Sequence, residues 1–598
     1  MSTTNNRRPQ PGRMSTETLA LFVCAVLAVV IVATVYLAVH VGHQLAGLPP
    51  APRDPWETLA GVIRGKVQWP MASTVIAGAA LVVLVAAGLV IARLLRRRRG
   101  RSSRVDPAAR YMGRGRDVES LTRQAAQITA SRLGVEESPG VPIGRTVATA
   151  TPLFGSWEDM HIDIWGPRTG KTTSRAIPAI LDAPGAVLVT SNKRDVVDAT
   201  RDARASRGDV WVFDPQSVAG EEPTDWWWNP LSYVTDEVRA AKLAEHFAAG
   251  SRDPGARTDA FFDPAAQDLL AGLLLAAALA DRPITDVYRW LAHPDDEEPA
   301  EILARSEYDL TAEQVAGVIY SPEKQRGGVY GTAQQMASCL TNRQIARWVT
   351  PGSVGRRHFS AGEFVRSTGT LYSLSKEGRG TAGPLVTALT VAVVEAAEEL
   401  AASSAGGRLP RPMLGVLDEA ANVCRWKELP NLYSHYGSRG IVLMTILQSW
   451  SQGVDVWGQS GMRKLWSAAN VAVYGGGVKE KEFLEMLSAL IGDYDKEVRS
   501  VATGRGQRTV NEQLTRERIL DVADLQALPK GRAIVLASGA RPTLITTQPW
   551  MNGPHAAAVK ASIAAHDPGA PSTLAQAEHQ LADVDRSLAA LDSSAAQR

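Results

Sequence analysis

Cysteine is scarce in this chain of 598 residues. There are three, Cys24 in an apolar run and Cys339 and Cys424 far apart, and that number and spacing exclude a disulfide framework and a zinc site of ordinary geometry. The bulk of the chain is therefore expected in the cytosol. A dominant charge is missing as well: 64 Lys and Arg against 62 Asp and Glu leave a net +2, so no global basic field points to nucleic acid and only local clusters can. From residue 235 to about 351 strand signals are lacking. Apolar positions recur there at helical spacing, which predicts an all-helical insertion. Its most apolar stretch, 269–280, is too short to span a bilayer and should be a buried helix.

What is present centres on Asp163-Ile164-Trp165-Gly166-Pro167-Arg168-Thr169-Gly170-Lys171-Thr172-Thr173-Ser174. A short β-prone run turns through Gly166 and Gly170, and the residues after Lys171 can open a helix. Such a turn aims backbone N–H groups at a polyphosphate, with Lys171 reaching the outer phosphates and Thr172 offering a hydroxyl to Mg²⁺. The usual spacing has four residues between the glycines. Here three intervene, and Trp165 stands where the first glycine is expected.

A second stretch supplies the partner chemistry. Residues 412–417 form an apolar strand that ends in Asp418-Glu419-Ala420-Ala421-Asn422. Asp418 can hold Mg²⁺ through its water shell, and Glu419 can polarise the water that attacks a γ-phosphate. A strand running into a helix whose first turn favours acids is the bland alternative. The upstream Gly-Lys-Thr turn decides for nucleotide hydrolysis, with ATP and Mg²⁺ as cofactors. A third strand, 440–449, ends in Gln448, which either senses the γ-phosphate and orients water or merely terminates the strand.

Further apolar runs at 185–190, 209–214, 369–376, 470–475 and 532–537 alternate with helical stretches, the pattern of a parallel sheet with crossover helices. Residues 106–151 read as mixed and weakly helical. The three tryptophans 226–228 could stack on bases, but packing is the expected role. Residues 499–518, with Arg505, Arg508, Arg516 and Arg518, read as an exposed loop or subunit contact. At the C-terminus Leu574, Ala577, Leu581, Val584, Leu588 and Leu591 space as a short coiled-coil seam, open to a partner or to the protein's own body.

Two apolar runs stand near the N-terminus, 18–41 and 71–92, each long enough to cross a bilayer core of about 30 Å. A cleaved signal peptide competes for the first run, but the run exceeds a signal's usual length and a second span follows. Arg7, Arg8 and Arg13 flank the first span, and a cluster from Arg93 to Arg101 follows the second. The positive-inside rule then places both termini and the large body in the cytoplasm, with the short loop outside. The same cluster could bind nucleic acid; its expected role is a topology and anionic-lipid anchor.

Taken together, the two spans, the helical insertion, the sequence 418–422, Asn229-Pro230-Leu231, the strand 440–449 and the late segment 528–536 resemble the type IV coupling proteins, the membrane-anchored ATPases of bacterial conjugation and type IV secretion. The resemblance covers about residues 18–550. It implies an α/β fold: a P-loop, RecA-like parallel-sheet nucleotide-binding domain with an inserted all-α domain and two N-terminal transmembrane helices. The expected layout is a cytoplasmic arm (1–17), a two-helix anchor (18–105), the first part of the nucleotide domain (106–234), the insertion (235–351), the second part (352–550) and a C-terminal tail (551–598).

Carried over residue by residue, the resemblance assigns nucleotide binding to Gly166, Thr169, Gly170, Lys171, Thr172 and Thr173. Metal binding falls to Thr172 and Asp418, and catalysis to Glu419, Lys171 and Gln448. Arg439 is assigned to reach a neighbour's nucleotide, with Arg463 second. The implied partners are single- or double-stranded DNA, relaxase or relaxosome proteins and type IV secretion channel components, around a homo-hexamer in the bacterial plasma membrane. The expected activity is ATP-driven transfer of DNA or relaxase-bound DNA. A motor for protein alone or for DNA segregation is one alternative, and a membrane receptor that uses nucleotide only to assemble is another.

Overall fold

The structure is a computed structural model that describes residues 16–99, 103–251, 259–352, 355–378, 380–504 and 507–578. It divides into two compact units, with the division between Ser102 and Ser103, and each is described by itself.

The N-terminal unit contains helices Thr16–Ala46, Pro55–Ile63 and Met71–Arg99. Asp54 starts the short middle helix, its carboxylate accepting from the N–H groups of Trp56 (2.7 Å) and Glu57 (3.2 Å) ahead of Pro55 in the first turn. The two long helices meet where Gly42 faces Ser73, leaving no room for a Cβ at position 42. The window Val29–Ala46 is long and apolar enough to cross a membrane; the described apolar part of the third helix is Met71–Leu84. The arginine cluster 93–101 and the arm 1–15 lie outside the residues whose side chains are described.

The second unit is built on strands β1 (Val141–Thr146), β2 (Pro152–Gly155), β3 (His161–Ile164), β4 (Val187–Ser191), β5 (Val210–Phe213), β6 (Trp226–Trp227), β7 (Arg357–His358), β8 (Thr370–Leu374), β9 (Met413–Leu417), β10 (Ile441–Leu447), β11 (Val471–Tyr474), β12 (Asp493–Gly504), β13 (Gln507–Arg518), β14 (Arg532–Ala537) and β15 (Thr543–Thr546). Eleven of them form one sheet in the order β2-β1-β15-β14-β11-β3-β10-β9-β4-β8-β5. From β11 to β5 every pairing is parallel, and from β11 to β2 every pairing is antiparallel. The expected apolar runs are all present as strands because both sheet faces are buried, which removes the need for polar alternation. In β10, Ile441, Leu443 and Leu447 enter one core while Val442, Met444 and Ile446 enter the other, the two-residue period of a strand.

One face carries helix Gly383–Ser403 and the insertion; the other carries helices Ile177–Asp182, Asp195–Ala205 and Ala556–His566. Among the described residues from Glu237 to Trp348 there are helices and no strand. Helix Phe262–Leu279, which by length and composition alone could cross a membrane, instead buries Leu269, Leu270, Leu273, Leu274 and Leu275 in the core. Trp226 is buried among the rings of Trp211, Phe213, Trp348 and Phe359, and Trp228 is buried in the same core, so packing accounts for these two rings.

Two expectations need correction. Residues 141–155 are not weakly helical but form the hairpin β1–β2, whose bulge between Pro142 and Gly144 hid the strand behind two punctuating residues. Residues 493–504 and 507–518, expected in part as a loop or a subunit contact, pair as the two strands of a long antiparallel hairpin, and Arg505 lies outside the described residues. At the C-terminus Ala577 is buried and Leu574 packs beside it against the helix Ala556–His566 side of the core; the rest of the expected seam lies outside the described residues.

Candidate functional site

β3, β10 and β9 are neighbours and parallel, so the turns leaving their carboxyl ends open on the same edge of the sheet. The turn after β3 runs from the buried Trp165 through Gly166 to Gly170, with Arg168 at φ 61° and Gly170 at φ 98°. Its own hydroxyls close it: Thr169 Oγ1 donates to Gly166 O (2.6 Å) and Thr173 Oγ1 to Gly170 O (3.1 Å). A π-helical turn, Thr172–Ala176, follows and continues into helix Ile177–Asp182. The first N–H groups of this helical segment lack carbonyl partners within it, as at every helix start.

The turn after β9 brings the carboxylates to that lysine. Lys171 Nζ donates to Asp418 Oδ1 (2.7 Å) and Glu419 Oε1 (2.5 Å). Gln448, leaving β10, donates from Nε2 to the same Glu419 oxygen (2.7 Å). Thus Lys171, Asp418, Glu419 and Gln448 meet in one place, although 277 positions separate the first from the last in sequence (448 − 171). Glu419 adopts a left-handed backbone, φ 56° and ψ 40°, a costly conformation for a side chain of this size that turns it back toward Lys171.

All three charged groups are enclosed, with Asp418 and Glu419 each 2% exposed and Lys171 9%. Burial pushes the Asp418 carboxyl above the usual range, and Lys171 offsets this only in part. For Lys171 burial is the largest influence and pulls downward, but the two carboxylates together outweigh it and hold the ammonium above its ordinary value. Two carboxylates against one ammonium leave excess negative charge, an arrangement suited to a further cation and to phosphate oxygens taking up the lysine.

Three neighbours of this group had no assigned role in the sequence reading. Asn422 donates from Nδ2 to Glu419 Oε2 (3.2 Å) and to Glu377 Oε1 (2.9 Å), and Asn192 donates to the same Glu377 oxygen (2.5 Å). Asn192 and Glu377 stand just past the carboxyl ends of β4 and β8, and that position was the only signal that could have found them. Beneath the turn, Arg175 is fully buried against Asp163 (Nε to Oδ1, 2.9 Å; Nη2 to Oδ2, 3.2 Å) and His161. The Trp165 indole N–H donates to Asp163 Oδ1 (3.1 Å). Burial, with the Arg175 charge beside it, holds His161 well below its ordinary pKa.

Thr172 begins the π-helical turn next to Lys171. Arg439 does not join the group: it precedes β10, at the far end of a seven-residue strand, and pairs with Glu398 of helix Gly383–Ser403. At about 3.3 Å per residue the strand alone places it some ~20 Å from the site. Arg463 is exposed on helix Trp450–Ala468.

Residues 412–530, which include Asp418, Glu419, Gln448 and the long hairpin, match the family model described as the TraM recognition site of TraD and TraG. Among solved structures, the chain is similar to the bacterial conjugative coupling protein TrwBdeltaN70. The unbound monoclinic form is 17% identical with a TM-score of 0.50, over 70% of this chain and 90% of that one. The trigonal form in complex with sulphate is 15% identical with a TM-score of 0.50, over 71% and 92%. At this identity the likeness is one of fold. No curated protein matches the sequence. The resemblance to type IV coupling proteins and the α/β fold class read from the sequence are both borne out.

Proposed function

We propose that this chain is a membrane-anchored, ATP-driven coupling protein that recruits DNA, or DNA carrying a bound relaxase, and moves it into a type IV secretion channel. The observation that carries this reading is the convergence of Lys171, Asp418, Glu419 and Gln448 at the carboxyl edge of a coupling-protein fold. A scaffold that bound nucleotide only to assemble would have no use for a second buried carboxylate held in a strained backbone.

The residues present fit ATP with Mg²⁺. In this reading the turn supplies Gly166, Thr169 and Gly170, with Thr173 bracing it, and the left-handed backbone of Arg168 and Gly170 suits a turn that wraps a phosphate chain. Lys171 exchanges its carboxylate partners for phosphate oxygens, while Thr172 and Asp418 would hold the metal. Magnesium supplies charge neutralisation of the phosphates. Freed of the lysine, Glu419 accepts the proton of the attacking water, and Gln448, one hydrogen bond away, orients that water. Asn422 keeps Glu419 aimed while the lysine changes partners.

In the same reading the chain is a homo-hexamer of the bacterial plasma membrane, two-pass, with both termini and the ATPase body cytoplasmic. The layout is an arm (1–17), anchor (18–105), split nucleotide domain (106–234 and 352–550), helical insertion (235–351) and tail (551–598). The test is Lys171→Ala. ATP hydrolysis by the purified full chain should fall to background with and without DNA, and DNA transfer should stop in cells carrying only the variant. Unchanged turnover would remove the assignment.

A further inference from the structure

In the turn after β3 Trp165 stands where the usual loop has its first glycine, so something else must hold the turn in shape. β11 lies beside β3 and is followed by Gly475, Gly476 and Gly477. Gly475 N–H donates to Ile164 O (3.1 Å), and Gly166 N–H donates back to Gly476 O (2.9 Å), extending the ladder one step into the phosphate turn. The approach is too close for side chains. A Cβ on Gly475 would run into the Trp165 ring, and one on Gly477 would meet Thr169 Cγ2 at 2.8 Å and Gly166 Cα at 3.2 Å. Gly476 and Gly477 also have φ of 80° and 79°, a region open to glycine. The indole that replaces the usual glycine is therefore seated against a glycine strip on the neighbouring strand.

The same segment reaches a second part of the site. Three residues on, Glu480 accepts from Trp450 N–H (3.0 Å), Ser451 N–H (3.1 Å) and the Ser451 hydroxyl. These groups open the helix that follows Gln448, whose own N–H is held by Gln452 Oε1 (2.9 Å) from the first turn of that helix. One six-residue segment thus touches the turn that carries Lys171 at one end and the turn that carries Gln448 at the other.

We propose that residues 475–480 are a positioning segment of the nucleotide site. The glycines set the shape of the phosphate turn and hence nucleotide affinity, and Glu480 sets the placement of Gln448 and hence the rate of the chemical step. This rests on the nucleotide-binding reading above. The two halves predict different kinetic signatures, which a merely structural segment would not produce.

The experiment uses the purified full chain and measures the Kd of a fluorescent ATP analogue, kcat, KM and the thermal midpoint. Wild type and Lys171→Ala are measured first; wild type that binds no analogue overturns the nucleotide reading and this proposal with it. With wild-type binding in hand, Gly477→Ala should weaken binding about tenfold or more, and adding Thr169→Ser, which removes the clashing methyl and keeps the hydroxyl, should recover part of the loss. Glu480→Ala should lower kcat about tenfold with Kd within twofold of wild type, and Glu480→Gln, whose amide oxygen replaces one of the two accepting carboxylate oxygens, should restore part of kcat. Should Gly477→Ala not fold, the Glu480 pair alone decides. Nucleotide binding by Gly477→Ala within twofold of wild type, or equal losses of Kd and kcat in Glu480→Ala, overturns the proposal.

Discussion

Asp418, Glu419 and Lys171 share one enclosed space, and their charges do not cancel. Glu419→Gln keeps its size and its contact with Gln448 but cannot take a proton, so hydrolysis should fall about 10²-fold or more while ATP binding persists; single-turnover phosphate release beside equilibrium binding checks it. Asp418→Asn should weaken the metal instead, and it should also make the nucleotide-free protein more stable. The sign follows from the raised carboxyl. Its ionised form is the one the fold disfavours, so the penalty is absent at acid pH, where Asp418 is protonated folded and unfolded. It sets in as pH rises from the ordinary carboxylate range through the folded value. Lys171, also raised, contributes its stability below the ordinary ammonium range and loses it as pH rises through its folded value. Near neutral pH the Asn variant should therefore melt about 1–3 °C higher, a gain that disappears toward pH 4. A lower midpoint at neutral pH would show that the Lys171 pair outweighs the burial cost.

At the scale of elements, legibility followed burial. Strands enclosed on both faces are plain apolar runs, and every one expected from such a run is present. β1, β2 and β15 escaped because none is an uninterrupted apolar run: Pro142 and Gly144 break the first, Pro152 and Gly155 bound the second, and Thr543 and Thr546 enclose only Leu544 and Ile545 in the third. The hairpin β12–β13 escaped because its sequence is polar and carries no core-facing alternation to read. At the site, Asp418, Glu419 and Gln448 were legible because they directly follow apolar strands with residue types that the chemistry requires, and Lys171 because it follows a glycine-bounded turn and precedes Thr172. Asn192, Glu377 and Glu480 were not, since their partners lie far away in sequence and only the strand order brings them near. The two long N-terminal helices, Thr16–Ala46 and Met71–Arg99, are elements of membrane-spanning length, and the arginine excess on their outer flanks predicts a cytoplasmic body. A reporter active only outside the cytoplasm, inserted within residues 47–54, should be active and one fused after Arg104 silent; the opposite pattern refutes the two-span topology.

For the whole molecule, the position of Arg439 is informative because it is wrong for a site contained in one chain. It stands at the amino end of β10, ion-paired with Glu398, whereas Gln448 leaves the carboxyl end of that strand beside Glu419. No rotamer spans a seven-residue strand. In the proposed hexamer Arg439 can therefore serve only the nucleotide of a neighbouring copy. An arginine supplied in trans is worth about 10³-fold or more in related phosphoryl transfers. Hydrolysis should accordingly rise more steeply than linearly with protein concentration, and Arg439→Ala should lose most turnover while retaining ATP binding. Glu398 offers a control, since Glu398→Gln releases the ion pair without removing the arginine and should leave turnover within a few-fold. The decisive measurement mixes Arg439→Ala subunits with Glu419→Gln subunits. Each parent lacks one half of every site, but a mixed ring contains interfaces where an intact arginine meets an intact carboxylate, so activity should reappear. If verified mixed rings stay inactive, and the same mixture made with Arg463→Ala stays inactive too, hydrolysis at Lys171 does not depend on either arginine in trans.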